Sequence, residues 1–225
     1  MKIYTITKII SLISVCLSCN LKNSKQSVKI QSDTIFINDT IYRNISYDKE
    51  WQKSFGLTHD PNIDSIWFKP VSFYLDDINC SGLAEDFYYG YLRPSDNGTT
   101  TELLKLATTG NTKLRPFYRW CLDKTIEISD GALGELIGVP ARQYAEKFPE
   151  EFFEYMDSDT TGQKYKRWTN AISYSGFYDT DKIANDIDDR NIRIVSKMMK
   201  NLKIKDANLI LRIKKFSVDC LTYKE

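Results

Sequence analysis

The chain contains one histidine, His59, and this limits the catalytic chemistry open to it. A zinc site rich in imidazole needs several histidines, and the sequence has no G-x-S-x-G turn to present a serine nucleophile. His59 lies in the segment HDPN, whose composition is typical of a loop, so we expect its imidazole to lie in solvent. These features predict no catalytic residues, no metal site and no cofactor.

Two acidic segments begin like calcium-binding loops. Residues 157–162 read DSDTTG, and a similar pattern starts at Asp60. An EF-hand loop closes with a bidentate glutamate at its twelfth position. That position holds Trp168 in the first segment and Val71 in the second. We therefore interpret these acids as turn and capping residues.

Adjacent acids support one enzymatic alternative, a carboxylate-based hydrolase acting on glycan or cell-wall material. Pairs occur at residues 76–77, 85–86 and 150–151. Such an enzyme needs two carboxylates about 5–10 Å apart across the sugar, which adjacency in sequence does not provide. The pair at 150–151 follows Pro149, which favours a role as first-turn acids of a helix.

Three glycines, Gly131, Gly134 and Gly138, are spaced like a phosphate loop but lack its lysine and its preceding strand. We interpret them as small residues that end a helix or let two helices approach.

Aromatic residues form 13% of the chain and cluster in residues 87–91 (FYYGY) and 117–120 (FYRW). Tyrosine and tryptophan suit contacts with protein or glycan, so Tyr89, Tyr91 and Trp120 are the candidate binding residues. On a helix, Tyr89 would point away from the face that its aromatic neighbours share. The alternative is an aromatic core with tyrosine hydroxyls at its edge.

The elements that must position these residues are predicted to be mostly α-helical, as an irregular helical bundle or stacked helix pairs. The clearest pattern covers residues 114–128, where apolar side chains recur every three or four positions. Further helices are predicted at 47–55, 70–75, 81–88, 103–110, 132–137, 140–148, 149–156, 165–177, 180–202 and 206–220. Alternating apolar residues leave a terminal strand at 209–221 as an alternative. Alternation in residues 33–42 predicts a short β or extended segment near the mature N-terminus.

The overall composition is that of a globular protein. The 225 residues are 42% hydrophobic and 27% charged, and the low numbers of Gly (10) and Pro (6) exclude collagen-like and low-complexity classes. A formal charge of +1 predicts no nucleic-acid partner. Residues 123–159 hold ten acids and three bases (net −7), whereas residues 191–225 hold nine bases and three acids (net +6). These opposite charges would attract each other within the fold or present two faces to partners.

The N-terminus has the features of an export signal. Lys2 and Lys8 precede or flank the apolar residues 9–17, a run shorter than the roughly 20 residues of a membrane-spanning helix. Residues 16–19 (CLSC) then resemble the lipobox of bacterial lipoproteins, although a cysteine stands where that family has leucine. The resemblance implies removal of residues 1–18 and attachment of fatty-acyl chains such as palmitate to Cys19.

The organisation that follows is a signal peptide (1–18), a lipidated cysteine with a polar tether (19–32) and one mostly helical domain (33–225). The tether carries three lysines and no acids. Several acyl chains on Cys19 would hold the protein stably at a membrane of the cell envelope. A secreted protein, cleaved by an ordinary signal peptidase, is the alternative.

Three further cysteines, Cys80, Cys121 and Cys220, show no C-x-x-C spacing. In an oxidising compartment one pair could form a disulfide, but Cys121 and Cys220 fall on apolar helix faces, which favours simple burial. The leading hypothesis is a lipid-anchored envelope protein whose helical domain binds an unknown protein or glycan. A module that docks through its charged faces is a third possibility beside the hydrolase.

Overall fold

The computed structural model of the chain describes residues 35–37, 40–42, 50–179 and 187–222. Within them the fold is mostly α-helical, as predicted from the sequence. The chain divides into two compact units, residues 1–45 and 46–225. The predicted signal peptide and Cys19 lie outside the described residues. The predicted boundary after residue 32 stays a prediction, because the residues on either side of it lie outside them too.

The described part of the first unit is a β-hairpin. Strands β1 (Ile35–Ile37) and β2 (Thr40–Tyr42) pair antiparallel, with Ile35 opposite Tyr42. This confirms the short β segment that the alternation of apolar and polar residues predicts.

The second unit begins with short elements and continues with longer helices. The short elements are α1 (Glu50–Ser54), β3 (Ser65–Ile66), β4 (Lys69–Pro70), α2 (Ser72–Leu75), α3 (Gly82–Tyr88), α4 (Gly98–Lys105) and a 3₁₀ turn (Leu106–Thr108). The longer helices are α5 (Arg115–Glu127), α6 (Gly131–Lys147), α7 (Pro149–Asp157), α8 (Gln163–Ser175), α9 (Ile187–Asn201) and α10 (Ala207–Asp219). Within the described part of the chain, none of these helices combines the length and the apolarity needed to cross a membrane.

Local signals place several helix ends where the sequence predicts them. The Asp206 carboxylate accepts a hydrogen bond from the Leu209 backbone N–H at 2.8 Å and caps α10, so residues 209–219 are helical and the alternative strand is wrong. Pro149 begins α7, where its missing N–H costs nothing. Gly176 follows the last turn of α8.

Two prolines lie in positions that differ from the prediction. Pro140 lies inside α6, so the two short helices expected around it form one helix. An interior proline removes a hydrogen bond of the helix, but side chains from neighbouring helices donate to the Gly134 carbonyl and to the Glu146 carbonyl and hold α6 on both sides of the proline. Pro70 lies in β4, and the helix expected to start there begins at Ser72.

Helix α5 lies between two clusters of buried apolar side chains. The apolar residues predicted to line one face are buried, and most of them pack with α3 and the small elements. Leu122 and Ile126, on the other side, join the cluster formed by helices α6 to α10. The charged residues Arg115, Arg119 and Asp123 are buried as well. Helix α5 is therefore a central helix, which has no fully solvated face.

Gly138 sets the distance between α6 and α8. A Cβ atom at this position would lie 2.4 Å from the carbonyl oxygen of Ala171 and 2.4 Å from Oγ of Ser175. The same hydroxyl accepts a hydrogen bond from the Gly138 backbone N–H at 3.0 Å. The prediction that this glycine lets two helices approach is confirmed.

Candidate functional site

A cavity of about 470 Å³ lies beside α5, where the β3–β4 turn and parts of α7 and α8 face it. We call it the Arg119 cavity. Its aromatic wall is formed by Trp67, Phe68, Trp120 and Tyr155, and its charged groups are Arg119, Lys124, Lys164, Arg167, Asp123 and Glu127. Four cations against two carboxylates leave a net charge of +2, which favours a ligand with negative charge.

The turn between β3 and β4 brings two of the aromatic residues to the cavity. Trp67 and Phe68 form a two-residue hairpin loop, and their φ angles are +50° and +63°. Positive φ at both positions is typical of a type I′ turn, which normally selects Asn and Gly. For a non-glycine residue this backbone region costs about 1–2 kcal/mol. Such strain is often found at ligand sites, and Phe68 is also 83% exposed.

Arg119 is the buried cation of the cavity. The residue is 1% exposed, and its Nη1 donates a hydrogen bond to the Tyr144 hydroxyl at 3.0 Å. Its guanidinium carbon lies 4.4 Å from the ring centre of Trp67 and 4.0 Å from that of Tyr155. Nε and Nη2 have no hydrogen-bond partner among the described residues, and no carboxylate lies within ion-pair distance there. Arg119 is therefore a desolvated charge without a direct ion-pair partner in the described part of the fold.

Asp123, one turn further along α5, is fully engaged. One oxygen accepts from the Tyr155 hydroxyl at 2.8 Å and the other from Nε1 of Trp168 at 2.7 Å. Burial, and secondarily the nearby Asp123 carboxylate, raises the pKa of Tyr155 well above its usual value, so its hydroxyl keeps its proton and remains a donor. Asp123 thus fixes two aromatic side chains in place instead of pairing with Arg119.

The remaining cations lie along the rim. The Lys164 ammonium lies 3.8 Å from the ring centre of Tyr155 and donates to Oγ of Ser158 at 3.0 Å. Burial lowers the pKa of Lys164, while Asp123 opposes that effect. Lys124 pairs with Glu127 at 2.7 Å. Positive charge therefore surrounds the opening, whereas only Arg119 among these cations is fully buried.

The expectation that His59 lies in solvent is wrong. Its side chain is 13% exposed, and its ring contacts those of Tyr88 and Trp120 at centroid distances of 5.0 and 4.9 Å. Nδ1 lies 3.3 Å from the carboxylate of Asp64, which also accepts from the Tyr88 hydroxyl at 2.7 Å. Burial lowers the pKa of His59 despite this carboxylate. Nε2 is buried, with no partner in the described residues.

The three candidate binding residues do not lie together. Trp120 lines the Arg119 cavity, whereas Tyr89 and Tyr91 stack on each other at 5.9 Å and are not part of its wall. Because α3 ends at Tyr88 and Gly90 has a φ of +80°, Tyr91 leaves the helix. The expected arrangement, with Tyr91 on one face and Tyr89 on the other, is therefore wrong. Tyr91 is 36% exposed and Tyr89 is half-buried.

The acids of the calcium-like segments make turns. Asp159 accepts hydrogen bonds from the backbone N–H of Lys164 and from the hydroxyl and backbone N–H of Thr161, which lower its pKa to about 2. Asp60 accepts from the backbone N–H of Asn62 at 2.9 Å. Within the described ranges, no three His, Cys, Asp or Glu side chains are grouped so as to hold a metal ion.

The oppositely charged segments contact each other at the surface of the domain. Arg212 of α10 forms a bidentate pair with Asp157 at the end of α7. The Lys203 backbone N–H donates to Glu150, and Glu151 pairs with Arg115. Attraction between Arg212 and Asp157 therefore accounts for part of the charge pattern, whereas the first-turn acids of α7 bind a backbone N–H and Arg115, which lies outside the basic segment.

The cysteines of the described residues are free thiols. Cys121 and Cys220 are fully buried, as predicted, and burial raises the pKa of each well above its usual range. Burial also raises the pKa of the half-buried Cys80 to about 12. None of the three is activated as a thiolate nucleophile.

Chemically, the Arg119 cavity can bind an anion more readily than it can catalyse hydrolysis. Its two carboxylates, Asp123 and Glu127, lie on successive turns of one helix, and both oxygens of Asp123 already accept hydrogen bonds. Glycosidases instead need two acids on opposite sides of the scissile bond. No family model, curated protein or solved structure matches this chain.

Proposed function

We propose that this is a lipid-anchored protein of the cell envelope whose helical domain binds an anionic ligand in the Arg119 cavity. Cys19 would carry the anchor, and the polar residues 20–32 would hold the domain away from the membrane surface. The ligand is bound rather than transformed, since the cavity offers a cation and aromatic surfaces and its acids are not opposed.

The observation that carries the binding function is the buried guanidinium of Arg119, which has two unpartnered nitrogens and no direct ion-pair partner among the described residues. Removing an ion from water costs several kcal/mol unless a partner of opposite charge compensates it. In this domain the partner that would do so is absent from the described residues, and a cavity adjoins the charge. An anionic ligand would supply both the missing charge and the missing hydrogen bonds.

Mass spectrometry of the gently isolated full-length protein tests the binding function. We expect the wild-type protein to release a small anionic molecule on denaturation and the Arg119→Met variant to release none. Arg93→Met, which removes an exposed arginine that does not line the cavity, is the control and should retain the molecule. Equal amounts from wild type and Arg119→Met would show that the cavity is not the binding site.

Cell fractionation with acyl labelling tests the anchor. Cys19→Ala should move the protein from the membrane fraction to the soluble fraction and abolish labelling. Cys16→Ala, three residues earlier, should change neither. Membrane association of Cys19→Ala without labelling would mean that something other than lipid at Cys19 holds the protein there. A wild-type protein found in the medium would support the secreted alternative.

A further inference from the structure

We infer that the ligand of the Arg119 cavity presents a carboxylate attached to a flat apolar group, and that Nε and Nη2 of Arg119 bind the carboxylate in bidentate fashion. This inference rests on the proposed function, because it takes the Arg119 cavity as the binding site. It adds the chemical class of the ligand and the atoms that recognise it.

The two unpartnered nitrogens of Arg119 are the pair that grips a carboxylate. Nε and Nη2 lie on one edge of the guanidinium, and their N–H bonds are parallel, at the spacing of two carboxylate oxygens. Nη1, on the other edge, is already bonded to Tyr144. The unsatisfied donors of Arg119 therefore form one complete fork. Both atoms have almost no solvent-accessible surface, so a ligand reaches them only when a side chain of the cavity wall moves.

Another arginine of α5, Arg115, shows how the Nε–Nη2 edge binds a carboxylate of the same chain. Arg115, one turn before Arg119, donates from Nε and Nη2 to the two oxygens of Glu151, at 2.8 and 2.5 Å. Its Nη1 donates to the Thr109 carbonyl. In both arginines Nη1 donates a hydrogen bond to an oxygen of the protein. The Nε–Nη2 edge binds a carboxylate in Arg115, whereas in Arg119 it has no partner among the described residues.

The surroundings favour a single carboxylate over a phosphate. A phosphate is usually held by several donors that converge on it. Here Lys124 is paired with Glu127, and Lys164 is bonded to Ser158. Arg167 also has one buried nitrogen without a partner, Nε, but among the cations of the cavity Arg119 is the one with two such nitrogens on one edge.

The aromatic wall indicates the rest of the ligand. Trp67, Phe68, Trp120 and Tyr155 offer ring surfaces that suit a flat apolar group. A volume of about 470 Å³ lies in the range of small-molecule pockets. A ligand with a carboxylate and an aromatic or similarly flat group would pair with the Arg119 guanidinium and pack against the aromatic wall at the same time.

The test uses arginine side-chain NMR of the purified full-length protein, with benzoate as the carboxylate probe, benzamide as its neutral counterpart and phenyl phosphate as a different anion. The Arg119→Lys variant identifies the Arg119 Nε–H signal by its loss. We expect benzoate at millimolar concentration to shift this signal towards the position of the Arg115 Nε–H, which already binds a carboxylate. Benzamide should leave it unchanged, and phenyl phosphate should act more weakly than benzoate.

Tryptophan fluorescence then measures affinity, since Trp67 and Trp120 line the cavity. Arg119→Lys keeps the charge but removes the fork, and should weaken benzoate binding about 10- to 100-fold. Arg93→Lys should bind as the wild type does. Equal affinity of wild type and Arg119→Lys would overturn the proposed recognition by the fork.

The outcomes separate this inference from the proposed function. A shift caused by phenyl phosphate but not by benzoate, or by benzamide as much as by benzoate, would overturn the carboxylate assignment and leave a binding cavity. If no probe shifts the Arg119 signal and the isolated protein releases no anionic molecule, both proposals are wrong.

Discussion

Two buried arginines of this domain, Arg142 and Arg119, differ in their partners: carboxylates surround Arg142, whereas Arg119 has none in direct contact among the described residues. Arg142 on α6 has a fully buried side chain, and its Nη2 donates to both oxygens of Asp179 at 2.8 and 2.7 Å. Its Nη1 lies 3.4 Å from Glu146, which is in turn 3.8 Å from Arg193. Arg119 is as deeply buried but has a single tyrosine hydroxyl as hydrogen-bond partner among the described residues.

This difference indicates which of the two buried charges stabilises the folded domain. The carboxylates around Arg142 link α6 to the chain after α8 and to α9, and their charge compensates most of its burial. Burial still raises the pKa of Glu146 and lowers that of Arg142, against their mutual attraction. Arg119 contacts α6, α7 and the β3–β4 turn, but through a hydroxyl and two aromatic rings and not through a carboxylate. Its charge therefore has no ion-pair partner in the described part of the fold, and it lies at a cavity.

The largest effect is expected when Arg142, the arginine with carboxylate partners, is replaced. Arg142→Met should lower the free energy of unfolding by about 3–5 kcal/mol, because it leaves Asp179 without its cation and Glu146 with only the more distant Arg193. Denaturant unfolding measures this loss. Arg212→Met, which breaks a pair at the surface, is the control and should cost about 1 kcal/mol or less. A loss for Arg142→Met no larger than that of the control would contradict the structural role.

A second, smaller effect concerns the strained turn, which lies on the Arg119 side. Among the described residues, the two non-glycine positions with positive φ are Trp67 and Phe68. Phe68→Gly should raise the free energy of unfolding by about 0.5–1 kcal/mol, since relief of the strain exceeds the entropic cost of glycine. Phe55→Gly, at an exposed aromatic without positive φ, should lower it instead. A loss of stability in Phe68→Gly would mean that the turn holds no strain.

Features determined by neighbouring residues could be predicted from the sequence. Asp206 caps α10 and Pro149 begins α7 because a capping carboxylate and a first-turn proline act within three or four residues. The buried stripe of α5 was predictable for the same reason, since helical periodicity is a local property. The mostly helical fold follows from many such signals.

The site could be predicted only in part, because its residues acquire their roles from distant partners. Arg119 and Asp123 lie four residues apart, a spacing that usually indicates a solvated helix face. They are buried because Tyr155 and Trp168, more than 30 residues later, pack against them. Trp120 was identified by its residue type alone.

His59 provides a test that depends on pH. Its ring contacts that of Trp120, which lines the Arg119 cavity. The unfolded chain takes up a proton on His59 near pH 6.5, whereas burial lowers the pKa in the folded state. The contribution of neutral His59 is therefore present above pH 6.5 and is lost as the pH falls through the lower, folded pKa. Asp64 opposes this loss, and Lys124 adds to it.

The measurement is the free energy of unfolding at a series of pH values from about 7.5 down to about 5. Because His59 is the only histidine, the difference between wild type and His59→Gln isolates its imidazole from carboxylates such as Glu146, whose raised pKa acts in the opposite direction. We expect the advantage of wild type over His59→Gln to shrink as the pH falls. Parallel curves would show that the imidazole is not desolvated.

The smallest expected change is the most informative about the comparison. Arg119→Met removes a buried charge without a counterion, which is favourable, and it also removes the hydrogen bond to Tyr144 and the contacts with two aromatic rings, which is unfavourable. The desolvation of the charge costs several kcal/mol, whereas the hydrogen bond contributes about 1.5–3 kcal/mol and each ring contact about 2 kcal/mol, so the two sides are of similar size and opposite sign. We therefore expect the free energy of unfolding without ligand to change by about 1 kcal/mol or less, far below the effect of Arg142→Met. The free energy of unfolding of the wild type, but not of Arg119→Met, should then rise when benzoate is added, because a ligand stabilises only the state that binds it. A loss for Arg119→Met equal to that of Arg142→Met, with no stabilisation of wild type by benzoate, would place both arginines in the same structural role.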